Sequence, residues 1–273
     1  ADHPNVCASV VKETCYFLPL RYGQPVPPLA AYEHQFRHYN NESLVIESTP
    51  GYFYGAADLP QTIANCLPEV RVLLVLRDPV RRFFSFFHYL RAMQQIPQDL
   101  SVETYLQSCL AKPPHVFRDN DEDKWFGVEG GVYASYLDPW IEQFHKRMRV
   151  TFFEDMADDP RSFMRALSDF VGIDPRPFDS MEFAPENKSR GHRIAWLHSV
   201  ALRVYRATAP VLNRNSALKR RISKLYHAAN EKPLVHDVAA EARVAAFLSA
   251  YYAGPNSTLR SMLDALPETS VSR

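Results

Sequence analysis

Apolar runs that stop at polar turns recur along the first two thirds of the chain. The run Leu44-Val45-Ile46-Glu47 ends at Ser48-Thr49-Pro50-Gly51, and residues 70–76 are apolar except for Arg71. Short apolar runs that stop at turn-forming residues are typical of buried strands. A strand that is apolar at nearly every position is typical of a parallel sheet covered on both faces. The pattern predicts strands at both segments and a third near residues 150–153.

Helical periodicity follows the predicted strands. A long helix is predicted from Pro79, because Asp78 suits the N-cap and proline suits the first helical position. Strands that alternate with helices indicate an α/β three-layer sandwich around a mostly parallel central sheet. Residues 239–266 predict two further helices, broken at Gly254-Pro255, so the C-terminal part is helical. Other predicted helices cover residues 59–67, 101–110, 132–144, 160–171 and 194–226.

Composition and charge narrow the classes of function. The chain has 273 residues, of which 46% are hydrophobic, and no linker divides it, so we expect a single domain spanning residues 1–273. Its 31 basic and 31 acidic side chains cancel, which leaves no global field to recruit nucleic acid. The apolar runs are far shorter than the roughly 20 residues of a membrane span.

The cysteines and histidines indicate neither a metal centre nor a disulfide scaffold. The four cysteines lack CxxC spacing, so we interpret them as buried thiols of a protein in a reducing compartment. The histidines show no ligand spacing, and no metal is assigned. We therefore expect a cytoplasmic protein; the alternative is the Golgi lumen, with an anchor outside this chain.

Polar clusters follow the predicted strands, at the sheet edge where open parallel sheets bind ligands. The cluster after the second strand is Arg77-Asp78-Pro79. Arg77 and Ser85, two helical turns further on, suit the binding of one phosphate, since arginine supplies charge-assisted bonds and serine a hydroxyl. The same residues also suit a structural ion pair at Arg77 and a solvent-facing Ser85. The residues alone leave both interpretations open.

The segment around Arg77 resembles a known family. Residues 72–85, Val-Leu-Leu-Val-Leu-Arg-Asp-Pro-Val-Arg-Arg-Phe-Phe-Ser, look like the 3′-phosphate-binding segment of sulfotransferases that use 3′-phosphoadenosine 5′-phosphosulfate (PAPS). The heparan-sulfate-type branch of that family is the most similar, and the resemblance covers nearly the whole chain. Further similar segments are Val11-Lys12-Glu13-Thr14-Cys15-Tyr16-Phe17, Glu47-Ser48-Thr49-Pro50-Gly51-Tyr52-Phe53, Gly131-Val132-Tyr133, Glu154-Asp155 with Pro160, and Lys188-Ser189-Arg190-Gly191-His192-Arg193.

The resemblance implies a fold, a reaction and a set of site residues. It implies a fold like that of the P-loop nucleotide hydrolases. It also implies the transfer of a sulfuryl group from PAPS to a hydroxyl or amine, with 3′-phosphoadenosine 5′-phosphate (PAP) as the product. The acceptor would be a carbohydrate or another small molecule. Glu13 is the implied catalytic base, and Lys12 is a second catalytic candidate. Glu47 and Tyr133 are implied to bind the substrate. The residues implied to bind the donor are Arg77, Ser85, Lys188, Arg190 and Gly191.

The chain also departs from the family pattern. Ser48 stands where some heparan-type enzymes have lysine, which weakens the analogy to a heparan substrate. Family members carry a Gly- and Lys-containing loop that holds the 5′-phosphosulfate. No such loop precedes His3-Pro4-Asn5, so we expect an N-terminally truncated domain. The basic stretch 203–224 suits a polyanionic acceptor or a membrane surface, although a solvated helical face is the simpler interpretation.

Three hypotheses follow. The first is a PAPS-dependent sulfotransferase, and the second is a non-catalytic relative that binds a nucleotide or a partner. The third, a nucleotide kinase, is remote because the chain lacks the Gly-x-x-x-x-Gly-Lys motif.

Overall fold

The computed structural model describes residues 3–183, 191–192, 231–232, 237–267 and 271. Within these residues short strands alternate with helices, as predicted for an α/β protein. The strands are β1 (Val6–Ala8), β2 (Leu44–Ile46), β3 (Val72–Leu76), β4 (Met148–Phe152), β5 (Gly191–His192) and β6 (Glu231–Lys232). The α-helices are α1 (Leu29–Glu33), α2 (Asp58–Cys66), α3 (Pro79–Ala92), α4 (Val102–Leu110), α5 (Ala134–Phe144), α6 (Phe153–Asp158), α7 (Pro160–Val171) and α8 (Val238–Asp264).

Two pairs of parallel strands form the centre of the fold. β1 pairs with β2, so that Ala8 lies opposite Ile46. β3 pairs with β4 over five residues, and Leu76 lies opposite Phe152. The three strands predicted from apolar runs are confirmed, and each pairs in parallel with a neighbour, but β2 belongs to a different two-stranded sheet from β3 and β4. β1 was not predicted, because Val6-Cys7-Ala8 contains one β-branched residue whereas β2 contains two.

The free edges of β2 and β3 border one cavity. Among the described strands, β2 pairs only with β1, and β3 pairs only with β4. Residues of both strands, including Val45, Ile46 and Val75, line a cavity of about 1820 Å³. Val75 is 42% exposed. The unbroken apolar sequence of β3 predicts that both of its faces are covered. The described residues leave one face partly open, so that prediction is not met by them.

Helix α3 begins where the sequence predicts. The Asp78 side chain accepts a 2.8 Å hydrogen bond from the backbone N–H of Arg81, and Pro79 occupies the first turn. An N-cap carboxylate satisfies one of the backbone donors that the first turn leaves free. The helix buries Phe83 and Phe87 on one face, against α4 and α8. This packing fixes the direction in which α3 leaves the end of β3.

The C-terminal part contains one long helix where two were predicted. Helix α8 continues through Gly254 and Pro255 without a break. Leu248, before the proline, packs in one core cluster, and Leu259, after it, packs in another. Burial of apolar side chains in both halves of the helix offsets the loss of the backbone hydrogen bond that proline cannot donate. The predicted break at these two residues is therefore wrong.

Candidate active site

The parallel register brings the ends of β3 and β4 together. Because Leu76 lies opposite Phe152, the next residues, Arg77 and Phe153, emerge side by side. Both line the cavity that borders β2 and β3, and Glu47, which follows β2, lines it as well. The cavity thus joins a residue predicted to bind the donor with one predicted to bind the substrate.

Arg77 carries a donor group without a partner. Its Nε is buried and makes no hydrogen bond among the described residues. Its guanidinium carbon lies 4.8 Å from the centre of the Phe153 ring. No carboxylate of the described residues forms an ion pair with it, so the structural ion pair considered from the sequence is not observed there. A buried N–H without an acceptor is costly, and an anionic ligand would satisfy it.

Ser85 lies two turns into α3, as predicted, and is partly buried. Its hydroxyl makes no side-chain hydrogen bond within the described part of the chain, so both its donor and its acceptor remain available. Ser85 is not among the residues that line the cavity. Its predicted role beside Arg77 stays a prediction.

Glu47 is the centre of a hydrogen-bond network. Its Oε2 accepts from the hydroxyls of Thr14 and Thr49, each at 3.0 Å. Thr49 Oγ1 in turn accepts from the backbone N–H of Cys15 at 3.2 Å. The Tyr52 hydroxyl lies 3.1 Å from Thr14 Oγ1, and burial raises the pKa of Tyr52 to about 12, so this phenol stays protonated. These hydrogen bonds link residues 14–17 to the segment that follows β2.

Lys12 and Glu13 lie just before this network. Both are exposed, and neither belongs to a strand: the chain bends at residue 12 and is irregular at residue 13. The backbone N–H groups of Cys15 and Tyr16 bind the hydroxyls of Thr49 and Thr14 instead of a neighbouring strand. Neither side chain lines the cavity.

Tyr133 comes immediately before α5 and is 5% exposed. Its hydroxyl donates a 3.0 Å hydrogen bond to the backbone carbonyl of Arg77. Burial raises the pKa of Tyr133, with a further contribution from Tyr54, so the hydroxyl remains a donor. Tyr133 lines the cavity, and it also fixes the backbone of the arginine predicted to bind phosphate.

Arg82 was missed by the sequence analysis, because an arginine on an amphipathic helix usually faces solvent. It lines the cavity, and one of its terminal nitrogens donates to the Gly127 carbonyl at 3.1 Å. Its guanidinium lies 5.6 Å from the centre of the Tyr54 ring. A Cβ at Gly130 would lie 2.2 Å from the Arg82 guanidinium, so a larger residue there would displace the Arg82 side chain. Arg82 therefore places a second cation at the cavity.

Part of the predicted donor loop lies outside the described residues. This is the case for Lys188 and Arg190, and for the basic stretch 203–224. Gly191 belongs to the two-residue strand β5, which pairs with β6. Their predicted contact with the donor stays a prediction.

The four cysteines are free thiols in different surroundings. Cys7 and Cys109 are buried, as predicted, whereas Cys66 is partly buried and Cys15 is exposed. The prediction of buried thiols is therefore wrong for Cys15, because it lies on the surface loop beside Glu13. Partial desolvation raises the pKa of the Cys15 thiol, and the carboxylates of Glu13 and Glu47 raise it further.

Cys15 reports on the charge at Glu13. We expect the Glu13→Gln variant to be alkylated at Cys15 about two- to threefold faster than the wild type at pH 7.5, because a lower pKa increases the thiolate fraction. Iodoacetamide labelling followed by peptide mass spectrometry measures this rate. Glu142→Gln, on the exposed face of α5, is the matched control and should leave the rate unchanged. Equal rates in all three proteins would show that Glu13 does not lie close to the thiol.

The described residues contain neither a cluster of metal ligands nor a membrane-spanning helix. No group of three His, Cys, Asp or Glu side chains among them is arranged to hold a metal ion. No helix within the described ranges is both long and apolar enough to cross a bilayer.

A solved structure supports the fold. The crystal structure of a sulfotransferase from Alicyclobacillus acidocaldarius superposes with a TM-score of 0.56 at 23% identity. The match covers 67% of this chain and 78% of that chain. At this identity it shows a shared fold, and it agrees with the α/β class predicted from the sequence.

Comparisons of sequence agree with the family resemblance. The mouse protein heparan sulfate glucosamine 3-O-sulfotransferase 3B1 is 27% identical over 135 residues, which is 48% of this chain and 31% of the relative. The human heparan sulfate glucosamine 3-O-sulfotransferase 6 is 27% identical over 131 residues, 48% of this chain and 35% of the relative. The chain thus spans about a third of the length of these curated relatives. Residues 57–188 match the sulfotransferase domain, the family that the sequence resembles.

Proposed function

We propose that this protein transfers a sulfuryl group from PAPS to a hydroxyl of a carbohydrate acceptor. The observation that carries the proposal is Arg77, whose buried Nε lacks an acceptor among the described residues and which lines the cavity beside β3. An arginine in this position suits a phosphate, because its planar group offers several N–H donors in a fixed arrangement. The 3′-phosphate of the donor is the proposed ligand, with Ser85 as a second contact.

Sulfuryl transfer requires a base and stabilisation of the leaving group. The acceptor oxygen bonds to sulfur, the bond between sulfur and the 5′-phosphate oxygen breaks, and PAP leaves with that electron pair. The acceptor loses its proton as this happens, and Glu13 is the proposed base. Lys12 is the second catalytic candidate, as a cation that stabilises negative charge near the reacting groups. Lys188, Arg190 and Gly191 are proposed to close over the adenosine and its 3′-phosphate.

Glu47 is proposed to bind the acceptor through its second oxygen. Thr14 and Thr49 occupy Oε2 only, so Oε1 accepts no hydrogen bond from the described residues. A carboxylate oxygen that borders the cavity can accept from a sugar hydroxyl. The Tyr133 hydroxyl donates its hydrogen bond to the backbone carbonyl of Arg77, so the proposed contact of Tyr133 with the substrate is made by its ring.

The acceptor class rests on the relatives. The curated relatives are named for sulfation of heparan sulfate, and the bifunctional heparan sulfate N-deacetylase/N-sulfotransferase 1 of Caenorhabditis elegans also matches, at 21% identity. We propose a carbohydrate acceptor in the wider sense. Ser48 stands where some heparan-type enzymes place a lysine, so a less anionic sugar is as suitable as heparan sulfate.

The donor part of the proposal is tested by calorimetric titration with PAP and with 5′-AMP, which lacks the 3′-phosphate. We expect PAP to bind at least about tenfold more tightly, since charge-assisted bonds to Arg77 are lost with 5′-AMP. Equal affinities would overturn the assignment of a 3′-phosphate site. Transfer of labelled sulfate from PAPS to heparan sulfate or neutral oligosaccharides tests catalysis. PAP binding without transfer to any of them would favour a nucleotide-binding relative.

A further inference from the structure

The Phe153 ring makes a cation–π contact with the Arg77 guanidinium. The register of β3 and β4 places the two residues side by side, and the guanidinium carbon lies 4.8 Å from the ring centre. Phe153 is 36% exposed although it is a large apolar residue. A cation within about 6 Å of an aromatic ring centre is attracted by the negative charge on the ring face. The contact therefore gives a partly exposed phenylalanine a specific partner.

The contact with the ring does not use the hydrogen-bond donors of Arg77. A guanidinium on a ring uses its flat face, whereas its N–H groups point outward in the plane of the group. Nε of Arg77 is buried and has no acceptor among the described residues. The ring thus restricts the orientation of the guanidinium without competing for the donors that would bind an anion.

Two hydrogen bonds fix the backbone on either side of the same peptide group. The Tyr133 hydroxyl donates to the Arg77 carbonyl at 3.0 Å. The backbone N–H of Asp78 donates to Oε1 of Glu154 at 3.2 Å. Phe153 and Glu154 are the first two residues of α6, directly after β4, so a single segment contacts both the side chain and the backbone of the Arg77 turn. The arginine is held before any ligand arrives.

We propose that Phe153 is a positioning residue for donor binding, acting through its ring contact with Arg77. The inference rests on the proposed function, since it assigns the ordered guanidinium to the 3′-phosphate of the donor. Order before binding matters, because a long side chain that is already restrained loses less freedom when it meets its ligand. Phe153 itself is not expected to touch the phosphate.

A double-mutant cycle on PAP affinity tests the proposal. We expect Phe153→Leu to weaken PAP binding about three- to fivefold, in line with a partly exposed cation–π contact. In an Arg77→Met background the same change should have almost no effect, because the group that the ring orients is absent. Phe153→Tyr should restore wild-type affinity, since it retains the ring. Calorimetric titration of the four proteins of the cycle, and of the tyrosine variant, measures these values.

Two outcomes would overturn the proposal. Unchanged affinity in Phe153→Leu would show that the ring does not position Arg77. An equal loss in both backgrounds would show that Phe153 acts through general stability, which thermal unfolding of each variant would reveal. Phe247→Leu, an exposed aromatic on α8, is the matched control and should leave PAP affinity unchanged. If Arg77→Met alone does not weaken PAP binding, the proposed 3′-phosphate site fails instead.

Discussion

Replacement of Arg77 by alanine should weaken PAP binding by about a hundredfold, the largest loss of affinity expected for any single change at the site. Arg77 offers the buried Nε that has no acceptor among the described residues, and it borders the cavity. Hydrogen bonds to a charged group contribute about 1.5–3 kcal/mol each, and a hundredfold change in affinity corresponds to about 2.7 kcal/mol. Calorimetric titration with PAP measures the change.

The control for this prediction is a nearby arginine in the first turn of α3. Arg81 is exposed on α3, and no hydrogen bond or ion pair of its side chain is seen within the described residues. Arg81→Ala removes the same charge but should change PAP affinity by no more than about twofold, because exposed charges are screened by solvent. Equal losses in the two variants would indicate a general electrostatic effect, and full affinity in Arg77→Ala would reject the phosphate site.

The sequence predicted those features whose signal is local. Arg77 follows directly on an apolar run, so its place at the carboxyl end of a strand could be inferred from neighbouring residues alone. The same holds for Asp78 and Pro79, since a cap and a first-turn proline belong to the same few positions as the helix start. These predictions are confirmed, and together they place the candidate donor site at the edge of the sheet.

Features that depend on distant parts of the chain were not predicted. Phe153 meets Arg77 only because β3 and β4 pair in one register, which neither strand specifies alone. Arg82 is withdrawn from solvent because Tyr54 and Gly127, far away in sequence, close around it. The continuity of α8 through Pro255 likewise depends on tertiary packing, which outweighs local propensity. These features depend on which strands and helices pair with each other, and the residue types along the chain do not specify that pairing.

Glu13 shows a different limit of the sequence interpretation. Its role came from a resemblance and not from a local pattern of residues. The structure places it in an irregular exposed loop, fastened at the next residues by the Glu47 network. The carboxylates of Glu13 and Glu47 both raise the pKa of the Cys15 thiol, so each lies within electrostatic reach of that residue. Either is chemically able to accept a proton, so the assignment of the base needs an experiment.

Glu13→Gln should lower the rate of sulfate transfer by about 10²- to 10⁴-fold, the range contributed by a general base. Glutamine keeps the size and the hydrogen-bonding capacity of the side chain but cannot take a proton at neutral pH. PAP affinity should stay within about twofold of the wild type, since Arg77 lies at the end of β3 and Glu13 follows β1. Transfer of labelled sulfate from PAPS to the best acceptor, together with PAP titration, measures both quantities.

Comparison with Glu47→Gln separates the two carboxylates. Glu47 accepts two hydroxyl hydrogen bonds through Oε2, and a glutamine oxygen can still accept them. If Glu13 is the base, Glu47→Gln should mainly raise the KM of the acceptor and retain most of kcat, because it weakens acceptor binding without removing the base. A large loss of kcat in Glu47→Gln with full activity in Glu13→Gln would transfer the role of base to Glu47. Glu142→Gln, exposed on α5, should leave both parameters unchanged, so any general effect of removing a carboxylate would be visible there.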